Sequence, residues 1–141
     1  MIHQPVLLRE VLELLSPSLD GTIVDCTLGT GGHALAILEA GKGRLIGIDW
    51  DENAIRIAKA RLEKFGDRVT VVQDSYVNLP QIFEKLKLEK VNALLADLGV
   101  SSLQLDDATR GFSFSKDGPL DMRMNVGLGR TALDLLVGLD E

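Results

Sequence analysis

The chain has 141 residues, of which 45% are hydrophobic and 26% are charged, and this balance favours a folded domain over disorder. Its net charge of −6 is a poor match for a nucleic-acid backbone, unless a local patch or another segment supplies positive charge. Cys26 is the only cysteine, which excludes an internal disulfide and a cysteine-based zinc site, and we expect no metal centre. Because the chain lacks a basic signal-peptide start and any apolar stretch of membrane-spanning length, we expect a soluble, cytoplasmic protein without membrane contact.

Hydrophobic periodicity, interrupted by glycines between segments, predicts helices that alternate with short apolar strands through residue 97. The predicted helices span residues 6–15, 33–40, 51–65 and 78–87, and the predicted strands span residues 22–28, 44–49, 69–74 and 91–97. Asn78 is expected to cap the fourth helix. Such alternation is typical of an α/β fold, in which right-handed crossovers connect parallel strands.

After residue 97 the periodicity is lost until a last helix, predicted over residues 131–138. There Thr131 and Asp134 have nearly the spacing of a capping box. The intervening segment is too long for a plain connection, so it indicates a functional loop or an insertion.

A glycine-rich turn, Gly29-Thr30-Gly31-Gly32-His33, follows the first predicted strand. Glycines at a strand-to-helix turn allow a ligand to approach the backbone, and the next helix offers free N–H groups. Asp49 ends the second strand, where a carboxylate can accept two hydrogen bonds from a ribose diol or cap the helix at 51–65. Asp25 ends the first strand; it suits an ammonium group better than a pyrophosphate, or it binds the amides of the turn.

The other two strands also end in polar residues. Asp74 and Tyr76 follow the third strand, where a ring can stack on an adenine or pack under the next helix, and Asp97 ends the fourth. Open α/β sheets bind ligands at this carboxyl edge. The pattern therefore predicts a nucleoside-containing cofactor, either S-adenosylmethionine or a dinucleotide bound through G-x-G-x-x-A at residues 29–34.

Several longer runs make a family resemblance specific. They are His3-Gln4-Pro5-Val6-Leu7-Leu8, Asp25 to His33, Gly47-Ile48-Asp49, Asp97-Leu98-Gly99-Val100-Ser101-Ser102, Gln104-Leu105-Asp106-Asp107, Arg110-Gly111-Phe112-Ser113-Phe114 and Pro119-Leu120-Asp121-Met122-Arg123-Met124. In these runs the chain resembles the MraW-type family of ribosomal small-subunit RNA cytosine-N4 methyltransferases. The family usually has Phe where this chain has Tyr76 and Pro where it has Leu103, and neither change removes a needed group.

The resemblance implies a Rossmann-like class I S-adenosylmethionine-dependent methyltransferase fold, with a parallel sheet truncated after four strands because the family is roughly twice as long. Residues 1–98 then form the N-terminal part of the core, and residues 99–141 an active-site loop and the start of an inserted helical domain. The implied cofactor contacts fall on Gly31, Gly32, His33, Asp49, Tyr76, Asp97 and Gln104. From the residues alone, His33 is equally compatible with a helix cap.

The resemblance also implies methyl transfer to N4 of a cytosine in small-subunit ribosomal RNA. Other cytosine-N4 and adenine-N6 methyltransferases place D/N/S-P-P-aromatic after the fourth strand, whereas this chain has Asp97-Leu98-Gly99-Val100, so no catalytic residue is assigned. Phe112 and Phe114 can stack on an unpaired base or pack locally.

Two alternatives remain open: a cofactor- or partner-binding fragment without turnover, and an NAD-dependent oxidoreductase that uses the G-x-G-x-x-A pattern. With the family's strand order, the strand at 91–97 is an open apolar edge through which two copies can pair. The acidic balance indicates that most RNA-facing positive charge lies outside these residues.

Overall fold

The structure is a computed structural model that describes residues 5–127 and 129–139, so His3 and Gln4 of the first matched run lie outside the described residues. The described chain divides into two units, with the boundary between Leu98 and Gly99.

The first unit is built on a sheet of four parallel strands: β1 (Thr22–Asp25), β2 (Arg44–Asp49), β3 (Val69–Gln73) and β4 (Ala93–Leu95). Their order in the sheet is β3-β2-β1-β4. This arrangement confirms the predicted parallel α/β sheet. The strand β1 is shorter than predicted because the chain turns away after Asp25, although the Cys26 N–H still donates to the Leu95 carbonyl and the Leu28 N–H to the Ile48 carbonyl.

Four helices precede or connect these strands: α1 (Leu8–Leu15), α2 (Gly32–Ala40), α3 (Glu52–Leu62) and α4 (Leu79–Lys85). All four were predicted, with ends that differ by up to three residues. Asn78 is the N-cap residue of α4, as expected, but its side chain makes no capping hydrogen bond. A 3₁₀ turn at Tyr76–Asn78 precedes α4, and there Asn78 donates from Nδ2 to Asp74 Oδ1 at 2.7 Å.

The hydrophobic core lies on both faces of the sheet, because successive residues of a strand point to opposite faces. Ile23 and Leu45 pack with residues of α2 and α3, whereas Val24 and Ile46 pack with Ile82 of α4. Burial of these side chains fixes the strand ends, and with them the polar residues that follow each strand.

The strands β3 and β4 are the two edges of the sheet. Leu94, in the middle of β4, is 49% exposed. The fourth strand thus lies at an edge, as the resemblance implied, and pairing of two copies through it stays a prediction.

The second unit contains two short helices, α5 (Ser102–Asp106) and α6 (Ala132–Val137), and a 3₁₀ turn at Ala108–Arg110. The capping box predicted for Thr131 and Asp134 is confirmed at the start of α6. The helix α5 was not predicted, although it also begins with a capping box, at Ser101 and Gln104. Within residues 5–127 and 129–139, no helix is long and apolar enough to cross a membrane.

The capping of α3 gives a direct stability test. The Asp51 carboxylate accepts hydrogen bonds from the Asn53 and Ala54 N–H groups, at 2.9 and 3.4 Å. We expect Asp51→Ala to lower the free energy of unfolding by ~1 kcal/mol in chemical denaturation, because these helical N–H groups lose their acceptor. Glu52→Ala is the matched control, since it also removes a carboxylate from the first turn but Glu52 is exposed. Equal losses for the two variants would contradict the capping role.

Candidate functional site

Carboxylates lie at or just after the ends of all four strands, at one edge of the sheet. In sheet order they are Asp74 after β3, Asp49 on β2, Asp25 on β1 and Asp97 after β4. The chain proceeds from β1 to β2 and β3 on one side, and β4 lies on the other side of β1. Asp25 therefore lies at the switch point, the position where open α/β sheets form a ligand crevice.

The glycine turn after β1 adopts a conformation that requires glycine. Gly29 and Gly31 have φ values of 53° and 78°, in the left-handed region that other residues rarely adopt. Gly31 is the N-cap of α2, which excludes the interpretation of His33 as the helix cap. The turn places the first N–H groups of α2 at the carboxyl edge of the sheet, where they can bind an anionic or polar ligand group.

Asp49 holds this turn against the start of α3. Its Oδ2 accepts a hydrogen bond from the Gly29 N–H at 2.7 Å, and its Oδ1 accepts one from the Asp51 N–H at 2.8 Å. The cap of α3 is Asp51, so the alternative interpretation of Asp49 as the cap is wrong. A carboxylate has about four lone-pair positions, so these two bonds leave capacity for a ribose diol.

Asp25 is the buried carboxylate of the site, with only 1% of its surface exposed. Its Oδ1 accepts a hydrogen bond from the Thr27 N–H at 3.1 Å, whereas its Oδ2 is buried and has no hydrogen-bond partner. Desolvation raises the pKa of Asp25 from 3.8 to about 6, against the lowering effects of the Thr27 hydrogen bond and of nearby His33. A cationic group placed at Oδ2 would supply the missing partner, and an ammonium group therefore fits this position.

Thr27 connects the turn to the end of β4. Its Oγ1 accepts a hydrogen bond from the Asp97 N–H at 2.7 Å, and the Asp97 side chain is exposed. Thr27 was not among the predicted site residues, because no local spacing rule connects residues that lie 70 positions apart.

Tyr76 is 45% exposed at the start of the 3₁₀ turn that follows β3. This exposure argues against the interpretation in which its ring packs under the next helix, and it leaves part of the side chain accessible to a ligand. Asp74 organises the same turn, since its Oδ1 accepts from the Ser75 N–H and from Asn78 Nδ2, each at 2.7 Å.

His33 and Gly32 both contact the segment before α1. The buried His33 ring lies with Nε2 2.9 Å from the Val6 carbonyl oxygen. A Cβ atom at Gly32 would lie 2.6 Å from Pro5 Cγ, so a side chain there would require Pro5 or its neighbours to shift. These two predicted cofactor residues thus have observed roles in holding the chain's own N-terminal segment, and cofactor contact stays a prediction for both.

Gln104 lies in the second unit and is buried. The side-chain Oε1 of Gln104 accepts a hydrogen bond from the Ser101 N–H at 2.9 Å, and the backbone N–H of Gln104 donates to Ser101 Oγ at 3.3 Å. The local S-x-x-Q pattern accounts for this position by helix capping. A cofactor contact at Gln104 stays a prediction.

The model of the MraW methylase family matches residues 1–141. The chain belongs to the MraW methylase family. This assignment confirms the resemblance found in the motif runs of the sequence.

Curated relatives of this MraW-family chain share about half of its residues. The ribosomal RNA small subunit methyltransferase H of Sorangium cellulosum is 52% identical over 99% of this chain and 44% of the relative. The protein of the same name from Heliobacterium mobile is 50% identical over 95% of this chain and 44% of the relative. The MraW-family chain therefore spans under half of the length of these relatives.

Among solved structures, an O-methyltransferase from Bacillus cereus, determined in complex with SAH, shares the fold. It aligns with a TM-score of 0.59 at 19% identity, over 67% of the MraW-family chain and 45% of the other chain. The chain thus has the Rossmann-like fold of class I methyltransferases, as the family resemblance implied.

Proposed function

We propose that this chain binds S-adenosylmethionine at the carboxyl edge of its sheet, as part of an enzyme that methylates N4 of a cytosine in small-subunit ribosomal RNA. The observation that carries the cofactor assignment is Asp25 Oδ2, a buried carboxylate oxygen without a partner beside a glycine turn. Membership of the MraW methylase family and the names of the curated relatives support the ribosomal RNA substrate.

The residues at this edge match the parts of S-adenosylmethionine. Asp25 suits the ammonium group of the methionine moiety, and Asp49 the ribose hydroxyls. The exposed Tyr76 ring suits the adenine, and Asp97, which follows β4, is proposed to face the methionine end. The family resemblance adds four further residues as cofactor contacts: Gly31, Gly32, His33 and Gln104.

A dinucleotide fits this edge less well. In a nicotinamide enzyme the glycine turn binds a pyrophosphate, and a carboxylate at the end of β1 would face that anion. Asp25 is already desolvated, so a second negative charge nearby would raise the energy of its ionised form further. This argues against the NAD-dependent oxidoreductase.

The chain's own contribution to the reaction is orientation. S-adenosylmethionine supplies an electrophilic methyl group on a sulfonium. N4 of cytosine is a weak nucleophile because its lone pair is conjugated with the ring, so alignment of donor and acceptor carries much of the rate enhancement. The hydrogen bond between Asp49 and the Gly29 N–H joins the turn to the end of β2, and the bond between Thr27 and the Asp97 N–H joins it to the end of β4.

The RNA contact is assigned mainly to parts of the longer relatives that this chain does not match. The chain carries a net charge of −6 and spans 44% of the first two curated relatives, whereas RNA binding requires positive charge near the phosphates. A ribosomal substrate implies a cytoplasmic reaction.

Transfer of labelled methyl groups tests the enzymatic part of the proposal. The chain is incubated with labelled S-adenosylmethionine and small ribosomal subunits that lack the modification, and the RNA is digested to nucleosides. We expect label in N4-methylcytidine at a low level, because most of the RNA contact is assigned to parts that this chain does not match, with a large reduction for Asp25→Asn and none for the exposed Glu52→Ala. Cofactor binding without any transfer would favour the cofactor-binding fragment instead, and label in another nucleoside would contradict the cytosine assignment.

A further inference from the structure

The N-terminal strap, defined as Pro5–Leu7, packs against the start of α2. Pro5 lies so close to Gly32 that a side chain at position 32 would force Pro5 or its neighbours to shift. The Val6 carbonyl oxygen lies 2.9 Å from His33 Nε2. A carbonyl only accepts hydrogen bonds, so Nε2 of His33 carries the proton and donates it.

The strap contains one residue, Leu7, in a strained backbone conformation. Leu7 has a φ of 52°, which costs ~1 kcal/mol for a residue with a Cβ atom, and neighbouring contacts must hold it there. On one side His33 holds the Val6 carbonyl, and on the other the Leu7 carbonyl accepts a hydrogen bond from the Val11 N–H at 2.9 Å. The His33 bond is thus the side-chain bond that ties the strap to the glycine turn.

We propose that His33 is a positioning residue, whose imidazole anchors the N-terminal strap beside the glycine turn and thereby slows dissociation of the cofactor. This inference rests on the proposed binding of S-adenosylmethionine at the same turn. Gly32 and His33 are the first two residues of α2, so a strap fixed to both of them flanks the helix N-terminus where the cofactor binds. Release of the strap opens that side of the site, as the opening of a lid does.

Two substitutions separate an anchor from a direct cofactor ligand. His33→Leu removes the donor and keeps an apolar side chain in the buried position. His33→Gln retains an N–H donor near the position of Nε2. For both variants and the unmodified chain, hydrogen exchange of the strap and α1 amides is measured without cofactor, and the association and dissociation rates of S-adenosylmethionine are measured by stopped flow. The melting temperature of each variant reports global stability.

For His33→Leu we expect faster exchange confined to the strap and the first turn of α1, and a dissociation rate raised about 10-fold, the effect of losing one hydrogen bond. The association rate should change much less, and His33→Gln should restore both quantities. Unchanged dissociation in a His33→Leu chain whose strap exchanges faster would overturn the proposal. Equal loss of affinity in both variants with an unaltered strap would show that the imidazole acts only as a direct cofactor ligand, and would also overturn it. If the unmodified chain binds no S-adenosylmethionine, the proposed function itself fails, which is a different result from any of these.

Discussion

Asp25→Asn is expected to remove a loss of stability that the unmodified chain undergoes as the pH rises from 4 to 7. Burial raises the pKa of Asp25 from 3.8 to about 6 in the folded chain. Below pH 3.8 the carboxyl is protonated in both the folded and unfolded states, so the folded state carries no cost of burying a charge. Above pH 6 it is ionised in both, and the folded state carries the full cost of a buried charge.

The size of this effect follows from the pKa. A rise of about two pH units corresponds to ~3 kcal/mol of stability, lost progressively from pH 4 to pH 6 and absent from the Asn variant. The measurement is urea denaturation of both proteins at several pH values, with Asp67→Asn as a control that changes an exposed aspartate. Parallel pH profiles for Asp25→Asn and the unmodified chain would contradict a buried, destabilised carboxylate.

The same variant should bind S-adenosylmethionine more weakly. An ammonium group at Oδ2 interacts best with the ionised carboxyl, so the affinity of the unmodified chain should rise as the pH passes through 6. The neutral amide of the Asp25→Asn variant cannot provide that charge, and we expect a loss of about 10- to 100-fold at pH 7.5 together with a flat pH profile. The opposite effects on stability and affinity distinguish a binding residue from a structural one.

Asp49→Asn is expected to reduce cofactor affinity by about 100-fold, because a ribose diol loses its anionic acceptor. The substitution also affects the fold. An amide has one oxygen, so either the Gly29 or the Asp51 N–H faces an NH₂ group instead of an acceptor. We therefore expect the free energy of unfolding to fall by ~1–3 kcal/mol as well.

A ligand that lacks both ribose hydroxyls separates these two effects of Asp49. The unmodified chain should bind the 2′,3′-dideoxy analogue of S-adenosylhomocysteine much more weakly than S-adenosylhomocysteine itself. The Asp49→Asn variant should bind both with similar affinity, since it has already lost the interaction. If the variant still discriminates as strongly as the unmodified chain, Asp49 only holds the glycine turn and does not contact the ribose.

Local signals in the sequence predicted most of the first unit. The apolar spacing of residues 51–65 predicted α3. In the second unit, Thr131 with Asp134 predicted the start of α6. These signals act within one or two turns of helix, so the sequence alone carries them. The same kind of signal was present at Ser101 and Gln104 but was missed, because a helix of only five residues has no apolar periodicity to support its capping box.

Long-range contacts were beyond local sequence rules. The bond from His33 to Val6 spans 27 residues, and that from the Asp97 N–H to Thr27 spans 70. No periodicity encodes such pairings, since they depend on where the sheet order brings the strand ends. The unpartnered state of Asp25 Oδ2 likewise follows from burial in three dimensions, although the acidic residue at the end of β1 had already suggested an ammonium ligand.

Calorimetric titration of the chain shows whether the carboxyl edge of this sheet binds S-adenosylmethionine. At pH 7.5, in a sample whose folding is verified by circular dichroism, S-adenosylmethionine should give saturable binding to one site, and NAD should give none. A folded sample that gives no heat with S-adenosylmethionine by calorimetry at two temperatures, or that binds NAD instead, would contradict the account.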